Sequence, residues 1–185
     1  MAENSGDYQR VGRCNMRCID WVLVVVLTVL PLIGGFIGAR SFNTGAYKRD
    51  EFKKPEFSPP SWLFSPVWSV VYLLMGFASF LVYKQGGACL NADTVPPLLL
   101  YTTQLLVNWL WTPLFFGFGN FGAGLLDIGV MWGLVFACVL TFWRPSKLAA
   151  VLMVPYLAWI SFASALNYSI VCLNGCQIAK NETVF

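Results

Sequence analysis

Histidine is absent from this 185-residue chain. Its absence removes Ser-His and Cys-His nucleophilic dyads, histidine-ligated zinc or haem, and any imidazole pH switch. Charge is scarce too: nine acids and twelve bases make up 11% of the residues, where a soluble domain carries about 25%. So few charges cannot cover a water-facing surface, and with 57% hydrophobic side chains the expected solvent for most of the chain is lipid. The net charge is only +3 and the bases mingle with acids, so nucleic acid is discarded as a partner. Six cysteines form no Cys-x-x-Cys pair, so neither a metal centre nor a cofactor is expected. Cys138 lies in an apolar run and reads as packing, whereas Cys14 and Cys18, beside Arg13 and Arg17 ahead of an apolar segment, form a setting for reversible palmitoylation.

What the chain does have is long uncharged windows. A hydrocarbon core about 30 Å thick takes about 20 apolar residues at 1.5 Å each. The windows predict five spans at about 21–39, 62–83, 96–116, 121–143 and 148–173. Runs such as Val22 to Leu27 are apolar at every position, unlike the alternation of a membrane barrel. The expected fold is an all-α membrane protein: a polar segment 1–20, a bundle of five transmembrane helices over 21–173, and a tail 174–185. Short joints make neighbouring helices antiparallel. Only Arg40 to Ser61 is long, with a charged stretch before its prolines, and it is a candidate lid over one mouth of the bundle. Lysine and arginine divide evenly between the two sides, so they assign no orientation. Modification of the Asn181-Glu182-Thr183 sequon would report a tail in the secretory lumen.

Gly117, Gly119 and Gly122 match a dinucleotide-binding fingerprint, yet no strand precedes them and spans flank them, so they read as a tight reversal between the third and fourth helices. Gly34/Gly38 and Gly129/Gly133 are spaced for close helix approach, within the bundle or between protomers. Asp127 is the one acid inside a span. It marks function, or it sits near the interface and bonds to neighbouring hydroxyls or amides. Gln104 and Asn108 share a face of the third helix, with Trp111 a turn on; this seam serves interhelical bonding or a ligand. Of eight tryptophans, Trp21, Trp62 and Trp143 fall at span ends, where indoles anchor in headgroups. Trp68, Trp111 and Trp159 fall deep. Each alone reads as packing; together with Tyr72, Asn108 and Tyr156 they suit a cavity for a flat apolar ligand, a macrocycle or sterol.

Several spaced motifs then resemble one family. Lys54-Pro55-x-Phe57-x-Pro59-Pro60-x-Trp62-x-x-x-Pro66-Val67-Trp68 with Tyr72 and Met75-Gly76 is similar to the signature of the tryptophan-rich sensory protein / translocator protein (peripheral-type benzodiazepine receptor) family. Gln104-Leu105-x-x-Asn108-Trp109-x-Trp111-x-Pro113 resembles its third helix, and Pro155-Tyr156-Leu157-Ala158-Trp159 with Leu166-Asn167-Tyr168 its fifth, over roughly residues 31 to 174. The resemblance implies a five-helix bundle, often a homodimer, that binds porphyrins (protoporphyrin or heme), cholesterol and synthetic isoquinoline or benzodiazepine-type ligands. It implies residence in the outer mitochondrial membrane, with the endoplasmic reticulum or plasma membrane as alternatives. Carried onto matching positions, it assigns the pocket to Trp68, Asn108, Trp111, Trp159, Ala163 and Leu166. Were the chain a porphyrin-degrading enzyme, Trp68 and Trp159 would be its reactive groups.

The chain departs from the pattern in three places. Lys48 and Arg49 stand where the family often has Trp-Tyr, Phe57 replaces a tryptophan, and no base follows Tyr168 until Lys180, which weakens the sterol-contact pattern. Three functions are therefore expected in order: a binding or transport protein for tetrapyrroles and sterols, a porphyrin-degrading enzyme, and a membrane adaptor with no small-molecule ligand.

Overall fold

The computed structural model describes residues 19–42, 52–87 and 90–181. Among them the regular structure is all helical: α1 (Ile19–Ser41), α2 (Ser61–Gln85), α3 (Val95–Thr112), a π-helical turn (Pro113–Gly117), α4 (Phe121–Phe142) and α5 (Lys147–Asn181). The boundaries fall within a few residues of the sequence expectation, except that α5 runs on beyond residue 173 to Asn181. Cys14, Cys18, Lys48 and Arg49, and Glu182 and Thr183 of the sequon, lie outside the described residues.

Local chemistry sets the ends. Pro60 precedes α2, and Pro96 lies in the first turn of α3, where a missing N–H costs no helical bond. The joint between them is organised by Asn91. Its side-chain oxygen accepts the N–H groups of Asp93 and Thr94, both at 3.0 Å, and its amide donates to the Gly86 carbonyl at 2.9 Å. The glycine-rich reversal between α3 and α4 takes the form expected for it. Gly119 adopts φ +63°, and the Asn120 side chain caps α4 by accepting the Ala123 N–H at 2.9 Å.

Four stretches are long and apolar enough to cross a membrane: Trp21–Ser41, Ser61–Gln85, Phe121–Phe142 and Lys147–Asn174. The remaining helix, α3, carries Thr102, Thr103, Gln104 and Asn108, and so falls outside that set. Its two threonines satisfy themselves, donating to the Leu98 and Leu99 carbonyls at 2.8 and 2.9 Å. Leu99, Leu106 and Leu110 form its exposed stripe, while Tyr101, Gln104 and Asn108 turn inward. The exterior elsewhere is apolar as well: Val22, Val25 and Val26 of α1, Leu126 and Val130 of α4, and Val151 and Val154 of α5 are all exposed. Such a surface needs hydrocarbon beside it. Trp21, Trp62 and Trp143 are exposed near helix ends.

The helices close a ring: α4 packs along α3 and α5, α5 along α2, α2 along α1, and α1 touches α3. Glycine decides how near α1 comes. Pro31 cannot donate to the Leu27 carbonyl one turn earlier, and Gly76 of α2 sits against that point. A Cβ at Gly76 would stand 2.5 Å from the Leu27 oxygen and 2.7 Å from the Thr28 Cα. Gly34 seats the Trp109 indole and Gly38 lies beside Thr112, so this small-residue pair packs within the bundle; a Cβ at Gly129 or Gly133 would meet no atom of the described residues within 4 Å. The half of the bundle nearer the α2–α3 and α4–α5 joints is solid, with Met75, Val82, Val135, Phe142 and Met153 fully buried. The other half is hollow.

Candidate ligand-binding site

The hollow half holds a cavity of about 720 Å³. Its walls come from every helix: Leu32, Gly35 and Phe36 of α1; Phe64, Trp68 and Tyr72 of α2; Asn108 and Trp111 of α3, with Phe115 and Phe116 of the π-helical turn; Ile128 and Met131 of α4; Ala163, Leu166, Asn167 and Ile170 of α5. None of the described wall residues is charged. Aromatic contacts stiffen the lining. Trp111 stacks on Phe115 with centroids 4.8 Å apart, and Trp68 lies 5.3 Å from Tyr72.

Beneath the cavity runs a buried polar chain that ties four helices together, α2, α3, α4 and α5. Tyr72 donates its hydroxyl to Asn108 Oδ1 at 2.7 Å, and Asn108 Nδ2 donates to Tyr156 Oη at 2.8 Å and to Met131 Sδ at 3.2 Å. Tyr156 Oη in turn donates toward Gln104 Oε1 at 3.3 Å. Polar groups out of reach of water must find such partners. The Gln104–Asn108 seam therefore serves interhelical bonding, and only Asn108 also reaches the cavity wall.

Of the residues singled out from sequence, Trp68, Tyr72, Asn108, Trp111, Ala163 and Leu166 are brought together on the wall. Three are not. Tyr156 is fully buried below, held in the polar chain. Trp159 stands behind Trp68, edge-on at 6.3 Å, and packs on Phe64 and Phe162. Asp127 gives place on the wall to Ile128 and Met131; it is buried, and its Oδ2 has no hydrogen-bond partner among the described residues. Asn167, not among the residues expected on the wall, lies there too: Ala163 and Ile170 at i−4 and i+3 put it on the same face, a spacing visible in the sequence.

The described part of the long loop lies across this end of the bundle. Phe52 packs on Phe115 and Phe121 at 5.9 and 5.3 Å, and Phe57 on Phe162 at 6.4 Å. Asn174 of α5 holds the backbone of Lys53 in both directions: Lys53 N–H donates to Asn174 Oδ1 and Asn174 Nδ2 donates to the Lys53 carbonyl, each at 2.9 Å.

A helical ring with an apolar exterior and an uncharged aromatic chamber defines a multi-pass membrane protein built around an internal site of small-molecule size. The chain belongs to the TspO/MBR family, whose model matches residues 21–173. It is 38% identical over 151 residues to the translocator protein of Sus scrofa, covering 81% of this chain and 89% of that protein. The human translocator protein is 39% identical over 151 residues, with 81% and 89% covered. The tryptophan-rich protein TspO of Chlorobaculum tepidum is 41% identical over 155 residues, with 83% and 97% covered.

Proposed function

We propose that this membrane protein binds flat, mostly apolar small molecules in its cavity, porphyrins first and sterols second, and passes them through or along the bilayer. The observation that carries this reading is the aromatic chamber of about 720 Å³ with Trp68, Tyr72, Trp111 and Phe115 on its wall. Drug-sized ligands occupy pockets of about 300–1,000 Å³. A porphyrin's carboxylates find no countercharge on the described walls, so they stay at the mouth, near Lys53. Tyr168 is exposed on the outside of α5, so the weak sterol pattern around it faces lipid and supports cavity binding of cholesterol little.

The test is a tryptophan-fluorescence titration of purified protein against protoporphyrin and cholesterol side by side. Saturable quenching that is weakened in Trp68→Leu is the expected outcome. No saturation with either compound ends the reading, and a new absorbing product in light would move it to a degrading enzyme acting through Trp68 and Trp159.

Five spans belong to the same reading. Helix α3 with its π-helical turn covers residues 95–117, long enough to cross; Gln104 and Asn108 face inward, and the exposed Thr102 and Thr103 bond to carbonyls of their own helix. Homodimers form on the open Gly129/Gly133 face of α4. The residence is the outer mitochondrial membrane, and cell fractionation checks it.

A further inference from the structure

The cavity wall is not equally covered all round. Among the described wall residues, those open to the outside are Ile33, Phe36 and Ala39 of α1 and Ser65 of α2, whereas those of α3, the π-helical turn, α4 and α5 are buried or half-buried. A residue that both lines a chamber and is exposed stands on its rim, so the rim runs along the seam between α1 and α2. Contacts along α1 give the reason. Toward the solid half α1 is closed on α2, with Gly76 against Leu27 and Thr28, and Gly35 against the Tyr72 ring. Beyond Gly35 it follows α3 instead: Gly38 lies beside Thr112, and the Phe42 ring rests on Gly117. The α2 side of the gap carries Ser61, Ser65 and Ser69, four residues apart on one face and all on the cavity wall. Three such small side chains fill little of a seam about 12 Å long at 1.5 Å per residue. Ser69 donates its hydroxyl to the Ser65 carbonyl at 2.8 Å, so it needs no water there. Outside, Ile37 of α1 and Val70 and Leu73 of α2 are exposed, so the seam opens on hydrocarbon.

We propose that this seam is a sideways entrance that admits uncharged, flat molecules directly from the bilayer, while anionic ligands use the mouth beneath the loop. This rests on the cavity being a ligand site. The sorting is electrostatic. A carboxylate crossing the seam sheds its water and meets no countercharge on the described walls. An uncharged aromatic molecule, concentrated in the bilayer by its own apolar surface, passes from hydrocarbon to aromatic lining without that cost.

The experiment uses the full chain in phosphatidylcholine vesicles, with pyrene as the uncharged probe and protoporphyrin as the anionic one. Stopped-flow tryptophan quenching reads entry, and its recovery on mixing with excess empty vesicles reads release. Ser65→Phe narrows the seam and is expected to slow both entry and release of pyrene, about tenfold each, because one passage serves both directions. Phe36→Ala removes an exposed ring from the rim and is expected to speed both, which keeps the test decisive should Ser65→Phe not fold. Each variant should alter the pyrene rates at least about fivefold more than the protoporphyrin rates. Asn174→Ala, off the cavity wall, is expected to do the reverse and speed protoporphyrin release alone. The proposal is overturned if pyrene entry is the same in both seam variants, if only release changes, or if Asn174→Ala speeds pyrene as much as protoporphyrin. Saturable binding in those cases leaves the cavity reading standing, whereas no saturation with either probe removes both.

Discussion

The Tyr72 hydroxyl donates to Asn108 Oδ1 at 2.7 Å, joining α2 to α3 across a helix pair that otherwise touches little. Both side chains also form cavity wall, so one bond sets the spacing of two faces of the site. Tyr72→Phe leaves the ring and removes the donor. Thermal unfolding in detergent should show a loss of about 1 kcal/mol, between the average for interhelical bonds in membranes and the cost of a stranded buried acceptor. In a cycle with Asn108→Leu, the two losses should sum to more than the double variant loses.

Gly76 lets α1 rest on α2 where Pro31 frees the Leu27 carbonyl. With its Cβ only 2.5 Å from that oxygen, Gly76→Ala must push α1 outward, at about 1–3 kcal/mol in a detergent melt. Since Leu32 and Phe36 of α1 line the cavity, ligand affinity should fall with it. Gly129→Ala meets no atom of the described residues within 4 Å and should leave the melt unchanged or raise stability by about 0.5 kcal/mol.

Asn174 fastens the loop at Lys53 through two bonds of 2.9 Å. Asn174→Ala frees both backbone groups, and at about 1 kcal/mol net each the closed arrangement should become roughly tenfold or more less populated. Stopped-flow displacement of a bound porphyrin should then show faster release. An unchanged release rate would mean that ligands leave by another path, between helices.

Trp68 forms wall and Trp159 stands behind it. Porphyrin titrations should therefore find Trp68→Leu about tenfold weaker than the parent, with Trp159→Leu altered less and mainly through the tilt of Trp68. Equal losses would show that Trp159 reaches the ligand itself.

The scarcity of charge and the length of the apolar windows settled the helical membrane class and placed the helices to within a few residues, apart from the end of α5, because a backbone in hydrocarbon has few other ways to satisfy its polar groups. Gly117, Gly119 and Gly122 marked the reversal before α4, and Trp68, Asn108 and Trp111 were legible as deep residues on helical faces. Helical spacing says which side chains share a face, but which face meets which neighbour is decided only when the ring closes. Packing therefore placed Trp159 behind Trp68, sank Tyr156 into the polar chain and kept Asp127 off the wall. For the same reason only the tertiary structure separated two like asparagines: Asn108 finds Tyr72 and Tyr156 on other helices, while Asn167 finds no hydrogen-bond partner among the described residues.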